Sequence, residues 1–170
     1  LFPNKESGNV VLSISGKGAK EFSCQMTNLI PCHDCLEKTL CLPRYIYIRN
    51  DVFGFNGSGL QPFNQGVFDG DEVAYSNCGL QRIDTISDAA LRHFSEAYGE
   101  KVTMDDLFYY IYGILHSVDY RERYANNLMK ELPRIPRVAT YRQFAAFRDA
   151  GRRLGELHVQ VGFEDLTDVH

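Results

Sequence analysis

Hydrophobic and polar positions follow two different periods along this chain, and the change of period divides it. Residues 9–15, NVVLSIS, alternate and are rich in β-branched side chains, which predicts a strand. Gly16-Lys17-Gly18 supplies turn chemistry, and residues 22–27 resume as a second strand, so the pair predicts a hairpin. Residues 42–48, LPRYIYI, predict a single third strand with two usable faces, one that is covered on both sides. After residue 85 the period becomes helical. Ser87 is placed to cap a helix over 88–98, with Asp88 in its first turn and Gly99 at its end. Thr103 to Asp106 has the form of a capping box for a helix over 105–116.

The densest pattern is residues 107–136, LFYYIYGILHSVDYRERYANNLMKELPRIP. Its first half is apolar nearly all round, which predicts a helix buried at the centre of the fold. Ser117 can cap a second helix running to about Leu132, with Asp119 in its first turn and its basic residues turned outward; Pro133 and Pro136 forbid its continuation. A last helix is expected over 141–159, with Phe144, Phe147, Leu154 and Leu157 inward and Arg142, Arg148, Arg152 and Arg153 mostly off that face. The tail from Gly162 to His170 is acidic and expected to fray.

Strands first and helices after is an α+β order: a small, mostly antiparallel sheet in 1–84, then a bundle of about four helices in 85–170. Within the first part, residues 50–71 form a Gly/Asn/Asp-rich tract without period, expected to be a long loop. Its glycines 54, 57 and 59 lack the Lys-Ser/Thr of a phosphate cradle. Its phenylalanines 53, 55, 63 and 68 either tuck back or meet a neighbouring domain.

Composition changes this picture little. At 170 residues with 44% apolar and 24% charged positions, the chain can bury a real core, and no apolar run is long enough to span a bilayer. The beginning, LFPNKESGNVV, reads as the middle of a longer polypeptide, and the cytoplasm is the expected compartment. Charge adds more. The net charge is −4, yet 121–153 holds nine basic residues against three acidic, a net +6 that leaves −10 elsewhere. Such asymmetry fits a polyanion-facing patch; it equally fits a solvated helical face whose arginines pair with the acidic remainder.

Candidate chemistry is sparse. The five cysteines are an odd number, which argues against a disulfide framework. Cys32 and Cys35 form a C-x-x-C pair that Cys24, Cys41 or His33 could complete, but no second pair stands at zinc-site spacing, so no metal is expected. The five histidines are scattered, with no nucleophile at motif spacing; His116 and His158 read as hydrogen-bonded core or capping residues rather than bases. Asp105 and Asp106 suit a helix N-terminus, and Asp69, Asp71 and Glu72 lack the ligand count of a calcium loop. No catalytic centre is expected within these residues.

Several runs nevertheless carry a resemblance. They are Ile86-Ser87-Asp88-Ala89-Ala90-Leu91 to Phe94; Asp105-Asp106-Leu107-Phe108-Tyr109-Tyr110-Ile111-Tyr112-Gly113-Ile114-Leu115-His116-Ser117; and Tyr120-Arg121-Glu122-Arg123-Tyr124-Ala125-Asn126-Asn127-Leu128. Glu131-Leu132-Pro133-Arg134-Ile135-Pro136 follows, then Phe144 through Ala150-Gly151-Arg152 to Leu157-His158. Together they resemble the C-terminal specificity domain of Type ISP restriction–modification enzymes and their helicase–methyltransferase relatives. Val118 stands where that family often has Pro, and Arg137 where an aromatic is common; 32–41 and 50–71 match no family pattern.

The resemblance implies a DNA target-recognition module acting on double-stranded DNA. Upstream parts of the same polypeptide would supply nuclease, ATP-driven helicase and N6-adenine methyltransferase activities, using S-adenosylmethionine, ATP and magnesium; the fragment itself would need no cofactor. Arg134, Arg137 and Arg142, around the Pro-bounded connection, are the leading phosphate candidates, with Lys130, Arg148 and Arg152 beside them. For Arg134 a helix-ending lock, with its guanidinium bonding buried carboxylates or carbonyls, stands as at least an equal alternative. A different class of answer is a docking module, whose helical half packs on the methyltransferase or helicase without touching DNA.

Overall fold

In the computed structural model, β1 (Val11–Ile14) is the strand around which the N-terminal half is built. The structure describes residues 2–3, 7–32, 35–49 and 80–164. All four β1 residues are buried, because the strand is central in a three-stranded antiparallel sheet of order β2-β1-β3. β2 (Cys24–Thr27) sets Met26 opposite Leu12, and β3 (Leu40–Pro43) sets Leu42 opposite Leu12 on the other side. Opposed residues share a face, so Met26, Cys24, Leu12 and Ile14 make one apolar surface that Leu40 and Leu42 continue. The helices cover only the first four. Leu40 and Leu42 remain 38% and 48% exposed.

The single strand expected over 42–48 is two strands in two sheets. β3 ends at Pro43, and β4 (Tyr45–Arg49) pairs instead with β5 (Leu80–Asp84), a strand the periodicity did not reveal. The break is Arg44. Its N–H donates to the Val10 carbonyl at 2.8 Å, and its side chain turns inward to Asp84 and to Asp105 on the second helix. Asn9 completes the corner, accepting from Tyr45 N–H and donating to the Tyr45 carbonyl, as a neighbouring strand would. Nor is the stretch covered on both faces, since Leu42 and Ile46 are exposed. The glycine-rich tract of 50–71 lies outside the described residues, as do 165–170 of the acidic tail.

Helix starts follow local chemistry closely. α1 (Asp88–Tyr98) has Ser87 as its N-cap and ends on Gly99, whose φ of 63° is the left-handed conformation glycine adopts without strain. α2 (Met104–His116) carries the full Thr103–Asp106 capping box. Ser117 caps α3 (Val118–Arg123), but the helix expected to run to Leu132 stops at Tyr124 and restarts as the single turn α4 (Ala125–Leu128). Two asparagines give that turn little helical support, and with the break both Tyr120 and Leu128 are buried. α5 (Tyr141–Glu164) extends beyond the expected end.

α2 and α5 form the largest interface between elements, and glycine makes it possible. A methyl built on Gly113 would lie 2.2 Å from the Phe147 carbonyl oxygen, and one on Gly151 2.0 Å from that of Tyr109. The two backbones therefore touch. Around this seam Phe144, Tyr110, Phe94 and Tyr98 form an aromatic cluster, with Tyr110 and Phe144 centroids 4.7 Å apart. The expectation of a buried helix at residues 107–116 holds: Leu107, Phe108, Tyr110, Tyr112, Ile114 and Leu115 are all in the core. Leu157, expected inward, is half exposed, because the α5 stripe that meets α2 and β2 runs through Phe144, Gly151 and Gly155 instead.

Candidate nucleic-acid interface

The segment between α4 and α5 is extended, and its backbone is pegged by hydroxyls from three helices. Tyr120 donates to the Arg134 carbonyl at 3.0 Å, Tyr110 to Pro136 at 2.6 Å, and Tyr98 to Val138 at 3.0 Å. Tyr110 also accepts from Val138 N–H at 3.2 Å. Alternate carbonyls thus point inward. A tyrosine buried in an apolar helix needs a partner for its hydroxyl, and here the connection supplies it. Burial pushes the Tyr110 hydroxyl up to about 12, with the Val138 bond opposing that rise, so it stays a donor at physiological pH. These tyrosines brace the connection, a role that pattern reading missed. The available signal was three hydroxyls on otherwise core-facing positions.

Pegged in this way, the connection presents Arg134 and Arg137 to solvent. Arg134 is 90% exposed at its side chain and bonds Glu131, three residues before it, at 3.1 Å, a surface pair worth little. The expected lock onto buried carboxylates or carbonyls is not what Arg134 makes: its carboxylate partner, Glu131, lies on the surface. Arg137 lies close enough to Tyr98 for its charge to offset part of the burial that raises that hydroxyl. Thr140 and Gln143 then form a reciprocal cap at the start of α5, where four backbone N–H groups point outward. Arg142 stands exposed in that first turn, and Lys130 is exposed after α4. Among the described residues neither Arg137, Arg142 nor Lys130 has a carboxylate partner.

Arg148 and Arg152 sit differently. Arg152 reaches Asp105 at 2.6 Å and lies 4.2 Å over the Tyr109 ring, and Arg148 meets Asp149 at 2.8 Å and Asp106 at 3.6 Å. The acidic pair at the start of α2 therefore does more than favour a helix N-terminus. It gathers Arg44 from the β3–β4 junction and Arg148 and Arg152 from α5. Arg121 is also turned inward rather than out, with Nε donating to the Leu115 carbonyl at 2.6 Å and Nη2 3.3 Å from His116 Nδ1. It closes the C-terminal end of α2.

His116 and His158 sit in packing and hydrogen-bonding roles. His158 Nδ1 is 2.5 Å from the Tyr112 hydroxyl, and the His116 ring stacks edge-on against Tyr112 and His158. Burial, then the Arg121 and His158 charges, lowers His116 to about 4, so it stays neutral near pH 7. Cys32 and Cys35 are exposed, His33 lies outside the described residues, and among the described residues no group of three or more His, Cys, Asp or Glu could hold a metal ion. Cys24 is buried, its thiol raised by burial to about 12. Among the described residues no helix is long and apolar enough to cross a membrane.

The sequence matches the profile of the Type ISP C-terminal specificity domain over residues 1–168. The chain belongs to that family. Among solved structures, the chain is similar to part of the cryo-electron-microscopy structure of a DrdV–DNA complex, 34% identical over 93% of this chain with a TM-score of 0.70. A second is a nuclease-deletion mutant of the Type ISP restriction–modification enzyme LlaGI with a DNA substrate mimic, 28% identical over 93%, TM-score 0.59. The chain spans 13% and 11% of those two proteins' lengths. No curated protein matches. The specificity-domain likeness covers both sheets and all five helices, so the helical signature and the sheets travel together.

Proposed function

We propose that this specificity domain recognises a DNA target for a Type ISP restriction–modification enzyme, with phosphate contacts from Arg137 and Arg142 and flanking support from Arg134 and Lys130. One observation carries the site assignment: cations without carboxylate partners stand on a connection held rigid by Tyr98, Tyr110 and Tyr120. A phosphate contact needs a charge at a fixed position, and such contacts set register on the duplex rather than read sequence. Arg148 and Arg152, drawn to Asp106 and Asp105, align α5 in this reading. The full-length protein would methylate adenine and cut DNA with ATP, S-adenosylmethionine and magnesium handled by its other domains, in the cytoplasm. The DNA-bound relatives support this reading.

The experiment measures binding of the full-length protein to a duplex bearing its own methylated site, across a salt series. The R137A/R142A double variant is expected to reduce the slope of log affinity against log salt by about two. An unchanged affinity and slope would remove both residues from the interface. One observation favours a second reading, docking on the rest of the polypeptide: Leu40, Leu42 and Ile46 leave an apolar strip exposed beside the core. On that reading L42E weakens assembly of the full-length protein and leaves the salt slope alone.

A further inference from the structure

Arg137 and Arg142 would hold the duplex without reading it, so the element that distinguishes bases is still to be placed. We infer that the β4–β5 ribbon is that element, and that Arg82 is a specificity-determining residue facing a guanine edge in the major groove. This rests on the DNA-recognition function proposed above.

The ribbon is held chiefly by polar contacts. Among the described residues, no hydrophobic side chain of β4 or β5 belongs to the apolar core or packs against it. A two-stranded ribbon has little stability alone, and here its fixings are polar and cluster at one end. Asn9 holds Tyr45 through both backbone groups, Arg44 is paired with Asp84, and Thr85 Oγ1 donates to the Pro43 carbonyl at 2.6 Å. Tyr47 donates to the Ser7 carbonyl at 2.9 Å. Through Arg44 the same end is tied to Asp105 on α2, so the bearing of the ribbon is set by the helical body that carries Arg137 and Arg142. A two-stranded antiparallel ribbon has the width that the major groove admits.

Arg82 gives the ribbon its chemistry. It is exposed and has no carboxylate partner among the described residues, whereas the charge of Asp84 is already matched by Arg44. With Asp84 already matched, Arg82 keeps its charge unpaired among the described residues. Its guanidinium carbon lies 4.4 Å from the centroid of the Tyr45 ring, and that of Arg44 lies 4.5 Å from the same ring. Stacking on a ring fixes the plane of a guanidinium and spares part of the rotamer entropy that a free arginine loses on binding. A planar fork held in one orientation suits the paired acceptors O6 and N7 of guanine, the commonest base contact of arginine. A phosphate can be held by a point charge such as a lysine ammonium, so a phosphate contact gains less from that orientation.

The test uses the full-length protein with R82A and R82K, measuring binding to its site and to duplexes carrying each single base-pair change. Lysine keeps the charge and loses the fork, and at an exposed position both variants keep the fold. Both are expected to weaken binding to the intact site by about ten- to a hundredfold and to flatten preference at one G·C pair, with the salt slope unchanged. The inference is overturned if R82K behaves as wild type while R82A weakens all duplexes equally and lowers the slope by about one, which marks a phosphate contact. It is also overturned if neither variant changes binding. R137A/R142A, measured alongside, separates the two readings: an unchanged slope there with a flattened base pair in R82A and R82K removes the phosphate site and keeps the ribbon.

Discussion

Arginines in the last third of this chain work under two regimes, although the sequence writes them alike. Along the seam of α2 and α5, Arg148 and Arg152 lie against Asp106 and Asp105, and Arg44 shares Asp105 from the other side. At the connection and first turn of α5, Arg137 and Arg142 have no such partner among the described residues. The seam uses charge to align elements that glycine lets touch. The connection keeps its charge free and obtains rigidity from tyrosine hydroxyls bonded to its carbonyls. Burial and rigidity are therefore separable: a backbone can be fixed from within while its side chains stay outside. Recognition of a polyanion needs that combination, because a loose cation loses entropy on binding and a paired one must first give up its partner.

The comparison can be broken hardest at Arg44. Arg44→Met leaves the mostly covered Asp84 without its cation, and a loss of about 3 kcal/mol in unfolding free energy is expected by denaturant titration. A loss below about 1 kcal/mol would mean that the pair contributes little. Next is Gly151→Ala, whose methyl must displace the Tyr109 carbonyl; about 3 kcal/mol should go, since neither helix backbone can yield alone. If that variant melts as wild type does, the two backbones do not in fact touch.

A smaller effect is set by pH. His116 titrates near 4 in the fold and near 6.5 in the unfolded chain, so between those values the unfolded chain binds more protons. Stability should fall as pH drops from about 6.5 to 4, by about 1–2 kcal/mol for a ring partly open to solvent. H116Q should flatten that part of the melting-temperature profile; a profile identical to wild type would assign the acid loss elsewhere. The smallest effect sharpens the functional side. R148A/R152A should cost about 1 kcal/mol of stability, both pairs being partly exposed, and leave the salt slope of DNA binding unchanged. A slope lowered by two would transfer phosphate contact from the connection to the seam.

Much of the helical half was legible because its signals are local. Ser87, Gly99, Thr103 with Asp106, and Ser117 cap through neighbours three or four residues away, so a sequence window contains both partners. The burial of α2 followed from its unbroken apolar surface. Arg44 was not legible, because LPRYIYI has the same strand propensity on both sides of it. What divides it is a change of pairing partner, from Val11 to Asp84, and the two lie far apart in the chain. Tyr124 hid in the same way, inside a run whose helical pattern continues although the helix does not. For the candidate site, the basic excess of 121–153 was visible, but its division was not. Arg121, Arg148 and Arg152 turn inward because α2 brings Leu115, Asp105 and Asp106 to them.

The sequence by itself determined where helices start, which of them is central, and to which family the chain belongs. Those properties depend on contacts within a few residues and on an extended apolar pattern that survives being read as a string. Tertiary structure alone decided which cations are free, since partnership is a matter of distance across the fold. It also decided that the ribbon stands apart from the core and that the connection is rigid. Hydroxyls from three helices converge on one extended segment only after those helices have packed.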